Sequence, residues 1–321
     1  MKVSKETFFL KTAVFKDVPL FQAEGFFAED KYSERKFAFY INDLEAPTIG
    51  CWGRIYCLGK IKMMRVKSLC YNTPKDEDVG IFLKEMRDNY SIVDIKDENL
   101  YRAELERVFR KSGYRRPIGQ FGTNLTLIVN LHEIINYNKS WRRNIRIAKE
   151  QEGIAFSMIS QPTHEQIDTV SALFKQNSKH KKLAYCYTSR DLERWISDPK
   201  FRLFVITLNG EIIAARIIMI NGRKSYDVAT ANGDKARNVR GCTQYLVYEI
   251  FNYLQNEKVG TFDFSCIPIG RKGADGVCEF KEGVTSATLV QYNGDWQFTR
   301  KNWQRWLVYF INKYIRHAYE Y

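Results

Sequence analysis

The chain has 321 residues, 45% of them hydrophobic and 14% aromatic, enough to fill one large core or two ordinary ones and to exclude a disordered or low-complexity protein. Lysine and arginine outnumber aspartate and glutamate 50 to 37, and the resulting net charge of +13 attracts polyanions such as nucleic acid, an anionic lipid surface or nucleotide-linked substrates. No uncharged apolar run approaches the ~20 residues that span a bilayer, and MKVSKETFFLKTAVFKD lacks the apolar core of a secretion signal, so a cytoplasmic location with at most peripheral membrane contact is expected.

The first thirty residues show no clear period. From Phe37, KFAFYIN, TIGCWGRIYCLG and KIKMMRVKSL alternate or cluster as strands of an antiparallel sheet. DEDVGIFLKEMRDNY then reads as a helix, SIVDI as a short buried strand closed by Asp94, and ENLYRAELERVFRKSGY as a second helix with Leu100, Leu105, Val108 and Phe109 on one face. TLIVNL supplies another strand. In the following basic segment Trp141, Ile145 and Ala148 share one side of a helix, which leaves Arg142, Arg143, Arg146 and Lys149 as a cationic ridge.

Beyond it come the strand GIAFSMIS, the helix EQIDTVSALFKQNSKHKK and the short helix SRDLERWISD. LFVITL, EIIAARIIMI and RKSYDVAT are joined by Asn209-Gly210 and Asn221-Gly222, which predicts a three-stranded meander because Asn and Gly accept the backbone of tight hairpin turns. The helix QYLVYEIFNYLQNEK leads into a strand, TFDFSC, that is expected to run parallel. A glycine-rich loop with Gly270, Gly273 and Gly276 follows, then Phe280-Lys281 and a last strand, SATLVQY. Trp303, Trp306, Leu307, Phe310, Ile311 and Tyr314 recur at helical steps in a final helix, an aromatic stripe expected to dock against the first unit.

This order resembles the catalytic half of a GNAT-superfamily acyltransferase of the Fem-type, peptidoglycan-bridge aminoacyltransferase-like branch. The resemblance is carried by the meander ending in SYDVATAN, the helix after it, the strand TFDFS and the pair Phe280-Lys281, with TLIVNL and SWRRNIRIAKEQEG as the joining strand and basic helix. It covers the C-terminal two thirds by motif and the N-terminal third by pattern. The fold it implies is mixed α/β: two tandem GNAT-like units with largely antiparallel sheets flanked by helices. Their expected spans are residues 1–150 and 151–300, with the helix 301–321 returning to the first.

The resemblance also assigns roles. It places Lys281 in the catalytic channel as a cation facing the oxyanion that develops on an acyl carbonyl, and Phe280 beside it at the substrate. It places Asp94 where a carboxylate orients or deprotonates an amine. The plainer alternatives are a strand-edge lysine and a cap of the next helix. Asp263 matches a family aspartate and is expected to tie down the loop after its strand. Of the turn that holds coenzyme A in acetyl-transferring relatives, the matching positions read Asn238, Gly241 and Thr243, so the central glycine alone survives; Arg237, Arg240, Gly241 and the helix N-terminus still form an anion site. Seven cysteines without a CxxC pair, and no histidine at zinc-ligand spacing, fit reduced buried thiols and no metal site.

Three functions follow from the resemblance and the charge. The first is direct transfer of an acyl or aminoacyl group, with aminoacyl-tRNA as the donor that the basic helix and net charge favour, to an amine acceptor and with no permanently bound cofactor; a cell-wall precursor is one such acceptor, although the N-terminal third has no match to the family's UDP-sugar contacts. The second is the same chemistry from acyl-CoA or an acidic acyl carrier protein. The third is a nonenzymatic polyanion binder that needs neither Lys281 nor Asp94.

Overall fold

In the computed structural model, which describes residues 1–27, 36–181, 186–271, 273–316, 318 and 320, hydrophobic alternation and helical periodicity are sorted into two compact units. The first comprises Met1–Thr126, Cys266–Gly276 and Leu289–Tyr321; the second comprises Leu127–Ser265 and Val277–Thr288. The sequence reading divides the chain near Glu150, whereas here the strand and the basic helix before that point belong to the second unit.

The first unit begins with β1 (Lys2–Val3) and α1 (Lys5–Thr12), then β2 (Lys36–Ile41), β3 (Ile49–Leu58) and β4 (Ile61–Lys67), which pair antiparallel, with the short β5 (Cys70–Tyr71) beside β3. Helix α2 (Asp76–Asn89) carries the chain across so that β6 (Ile92–Leu100) lies parallel to β4, from Met63↔Ile92 to Lys67↔Lys96. Asp76, Glu77 and Asp78 occupy the first turn of α2, where the positive end of the helix dipole favours them. Its Val79, Phe82, Leu83 and Met86 are buried against the sheet, as are Leu105 and Phe109 of α3 (Ala103–Lys111). Met64, Val66, Val93 and Ile95 face that core. Because strand side chains alternate, Arg65, Lys67, Asp94 and Lys96 fall on the opposite face. The helix expected from Glu98 starts only at Ala103; Leu100 ends the strand and is exposed.

The second unit opens with β7 (Leu125–Asn130), α4 (Lys139–Lys149), β8 (Ile154–Ile159), α5 (His164–Lys181) and α6 (Ser189–Ser197). The meander is β9 (Phe201–Leu208), β10 (Glu211–Asn221) and β11 (Lys224–Asn232), and both Asn-Gly pairs form its two-residue turns. After α7 (Asp234–Asn238) and α8 (Cys242–Asn256), β12 (Thr261–Asp263) lies parallel to β11 and antiparallel to β7. A meander, a helical crossover and a parallel strand thus occur in both units, the order expected of GNAT folds. Helix α9 (Asp275–Glu282) follows.

Two late elements complete the first unit. β13 (Thr288–Thr299) pairs antiparallel with β6 and inserts the fully buried Trp296, stacked on Phe109 at 4.8 Å, into the core. Helix α10 (Trp303–Phe310) and the π-helical turn Ile311–Ile315 come last. They are held in this unit by Arg305, which donates to the Arg116 carbonyl at 2.6 Å, and by Asn312, which accepts from Arg65 at 3.1 Å. The aromatic stripe is not what docks. Gln304 and Val308 face inward, while Trp303, Trp306, Phe310 and Tyr314 are exposed, because the helix is fastened by polar contacts on its other side.

Helices α4 and α8 pack so closely that a Cβ on Gly241, whose φ is 82°, would lie 2.0 Å from the Asn144 carbonyl oxygen. Gly241→Ala should therefore destabilise the protein by about 3 kcal/mol, from overpacking together with left-handed strain. Denaturant unfolding measures this; unchanged stability would contradict so close a crossing.

Candidate active site

In the second unit the chemistry converges on the end of β12. Phe280 and Lys281 belong to helix α9 and not, as the sequence reading has it, to the approach of the last strand. The helix turns Lys281 inward: it is 8% exposed, and its Nζ donates to the Phe264 carbonyl at 2.6 Å. A buried ammonium is tolerated because it is met by oxygen, and here that oxygen lies just past the C-terminal end of β12. The next two residues, Ser265 and Cys266, take positive φ angles of 55° and 113°, uncommon for residues with a Cβ and a mark of locally imposed strain. The Ser265 hydroxyl is buried without a hydrogen-bond partner among the described residues. Asp263 accepts from the Ser265 N–H at 2.7 Å and so anchors this turn.

Phe280 lies on Trp141 of α4, ring centres 4.9 Å apart, and Trp141 is stacked in turn on Tyr137 at 5.5 Å. Gly283 makes this possible, since a Cβ there would fall 1.9 Å from the Trp141 Nε1. The contact ties α9 to the basic helix. Asn138 caps α4, its side chain accepting from the Trp141 N–H, and Arg142, Arg143, Arg146 and Lys149 are exposed as the periodicity predicts. Lys139, Ser140, Arg142, Arg143 and Arg146 line an open recess on that surface. On the other side of Phe280, 6.0 Å from its ring centre, the buried Arg216 makes a two-point ion pair with Asp227, a pair the sequence reading passes over.

The expected anion site looks different in three dimensions. Arg237 is paired with Asp234 and also donates to the Asn232 carbonyl; Arg240 donates to Asn144 at 3.3 Å; Gly241 caps α8 directly against α4. All three residues sit near the α8 N-terminus, but their polar groups are engaged by the protein. Burial pushes the Cys242 thiol, at the start of α8, up to about 12, so it is no thiolate nucleophile at neutral pH.

Asp94 belongs to the first unit. It lies within β6 and not at its end, so it caps no helix; its Oδ2 accepts from the Arg65 Nε at 2.9 Å across the parallel pair. A cavity of about 260 Å³ is lined there by Arg65, Lys67, Asp94, Lys96, Asp295 and Arg316 among others. This mixed-charge chamber escapes sequence reasoning because its walls come from β4, β6, β13 and the last turn of the chain's final helix. Burial pushes the Asp295 carboxyl up to about 6 against the pull of Lys96, and its Oδ1 has no hydrogen-bond partner among the described residues. For Lys96, burial opposes the charge, but Glu98 at 3.1 Å and Asp295 outweigh it and the ammonium is held above its ordinary range. Deeper still, the buried Asp97 accepts from Asn293 at 2.8 Å and from Asn99 at 2.5 Å.

Residues 136–282 match the family model of the acetyltransferase (GNAT) domain. Among curated proteins no sequence matches the chain. Among solved structures it is similar to FemX, at 12% identity with a TM-score of 0.75, covering 96% of this chain and 99% of that one. It is also similar to the C-terminal domain of a putative lysylphosphatidylglycerol synthetase from Agrobacterium fabrum, at 11% identity, TM-score 0.61 and coverage of 87% and 88%. A third likeness is to L-PGS from Bacillus licheniformis, at 17% identity, TM-score 0.59 and coverage of 86% and 88%. The fold is the one FemX has, and residues 136–282 form an acetyltransferase (GNAT) domain, which makes the chain an acyltransferase. Among the described residues no helix is long and apolar enough to cross a membrane.

Asp295 provides a pH test. An unfolded aspartate titrates near 4, so between about 4 and 6 the folded chain binds the extra proton and stability from this group falls as pH rises. Asp295→Asn should thus stabilise the protein at pH 7 by on the order of 2 kcal/mol while changing little at pH 4. Melting curves of both proteins across that range decide it; a difference that does not vary with pH would refute the assignment.

Proposed function

We propose that this acyltransferase moves an aminoacyl group from aminoacyl-tRNA directly to an amine acceptor. The observation that carries the reading is the Lys281 ammonium, buried on a helix and aimed at the Phe264 carbonyl at the strained end of β12. In this reading the acceptor nitrogen attacks the ester carbonyl carbon. A C–N bond forms, the C–O bond to the ribose breaks, and the proton lost by the amine ends on the departing ribose oxygen. Lys281 stabilises the oxyanion between those events, a positioned charge acting in a water-poor site. Asp94, whose carboxylate Arg65 fixes within the first unit, keeps by resemblance the role of a group that orients or deprotonates an amine, and its part is tested separately from that of Lys281. The donor is a substrate, and no resident cofactor takes part.

The exposed arginines of α4 support a large polyanionic donor, and the engagement of Arg237 and Arg240 by Asp234 and Asn144 supports tRNA over coenzyme A. One structural relative is named as a putative lysylphosphatidylglycerol synthetase, a name that joins an aminoacyl group to a lipid acceptor. The acceptor in this reading is an amine, with a cell-wall precursor as one candidate. Acyl-CoA or an acidic carrier protein is the alternative donor, and a comparison of labelled aminoacyl-tRNA, acetyl-CoA and long-chain acyl-CoA binding separates the two readings.

Two measurements test the proposal. Lys281→Met keeps the stem and removes the charge; single-turnover transfer, measured below the variant's own melting temperature, should slow about one-hundred-fold or more, and Lys281→Arg should restore part of the rate. Near-normal turnover in Lys281→Met would place the chemistry elsewhere. Binding of tRNA should weaken steeply with salt, and replacing Arg142, Arg143, Arg146 and Lys149 by Gln should lower the log–log slope by about one for each phosphate that is no longer neutralised. An unaltered slope would remove the basic helix from donor binding.

A further inference from the structure

The aromatic side of the last helix is unused by anything described so far. Trp303, Trp306, Phe310 and Tyr314 are 52, 52, 49 and 58% exposed, and Ile315 extends the row at 73%. Steps of three, four and four residues put the aromatics on one side of the helix. They also touch one another: Trp306 and Phe310 have ring centres 6.3 Å apart, and Phe310 is stacked on Tyr314 at 5.8 Å. The opposite side is already secured. Gln304 and Val308 are buried and Arg305 holds the Arg116 carbonyl, while Lys313, paired with Glu320 at 2.8 Å, borders the row with its ammonium 5.9 Å from the Tyr314 ring centre. The row is therefore presented by a fixed helix and has no core of its own to join.

Charge indicates what covers it. Residues 300–316 contain Arg300, Lys301, Arg305, Lys313 and Arg316 and no aspartate or glutamate, on a chain whose net charge is +13. The cations flank the aromatic row at both ends. Trp and Tyr combine an apolar ring with a polar edge, the combination that settles at the boundary of hydrocarbon and headgroup. A ridge of this kind, convex along a single helix, fits a broad anionic surface with an apolar layer beneath it. Since no described helix spans a membrane, the contact is peripheral.

We infer that the face formed by Trp303, Trp306, Phe310 and Tyr314 docks the protein on membranes that carry anionic phospholipid. The inference does not depend on the identity of the acyl donor and concerns where the enzyme works. The test is sedimentation of the full chain with vesicles of phosphatidylcholine alone and of phosphatidylcholine with about one third phosphatidylglycerol. The expected result is partition onto the anionic vesicles, weakened by salt, with tryptophan emission shifted to the blue and quenched by brominated acyl chains. Trp306→Ala combined with Phe310→Ala should lower the partition coefficient at least ten-fold. Melting temperature should change little, because these side chains are half exposed and the buried side of the helix is untouched. Lys301→Gln should weaken binding to the anionic vesicles and reduce its salt dependence. Failure of the unaltered protein to bind anionic vesicles would overturn the inference, as would equal partition of the aromatic variant. So would a concentration-dependent dimer, abolished by the aromatic substitutions, in a protein that ignores vesicles; that outcome would assign the face to a second copy of the chain.

Discussion

An ammonium withdrawn from water has to be met by oxygen, and in the second unit that requirement fixes the position of Lys281. The Phe264 carbonyl can receive it because β12 ends after three residues and the backbone turns through positive φ at Ser265 and Cys266. Asp263 pins the turn from below. Helix α9 must then approach closely, and it does so where Gly283 lets the edge of Trp141 come in without a Cβ between them. Through Trp141 the same constraint sets the basic helix, so the cationic surface and the buried lysine are held in one packing arrangement.

The first unit handles charge in another way. Its sheet sends Arg65, Lys67, Asp94 and Lys96 to one face, and the chamber they line mixes both signs. Neither sign is fully neutralised there: Arg65 and Asp94 satisfy each other, but Asp295 keeps a buried oxygen without a partner among the described residues and an elevated proton affinity. Perturbed carboxylates of this sort concentrate at sites that bind or transfer. The two units repeat one order of elements, but what each does with its ionisable side chains differs.

Local rules made much of this legible. The Asn-Gly turns, the amphipathic pattern of α4 and the shift from meander to crossover helix depend on neighbours within a few residues, and the structure has all of them. Non-local satisfaction defeated the rest. The strand is expected to stop at Ile95 and a helix to start at Glu98, but β6 continues to Leu100, and Asn293, far away in sequence, donates to its buried Asp97. Lys281 reads as part of a strand approach because the short helix around it has no apolar period. The aromatic row of the last helix carried the right pattern and the wrong inference, since inward packing there is provided by Gln304 and Val308 together with polar anchors. The chamber of the first unit has no local signature at all, since Asp295 of β13 stands about two hundred positions beyond Asp94 and further still beyond Arg65.

That arrangement also sets an order in time. Residues 1–126 are made first, yet the core they surround is missing Trp296, and β6 is missing its neighbour, until residues 288–299 have left the ribosome. The second unit has its own last segment by Thr288. The half that begins the chain is thus the half that finishes late. During synthesis, the unpaired margin of β6 and the apolar pocket awaiting the indole are the surfaces a chaperone would have to shield.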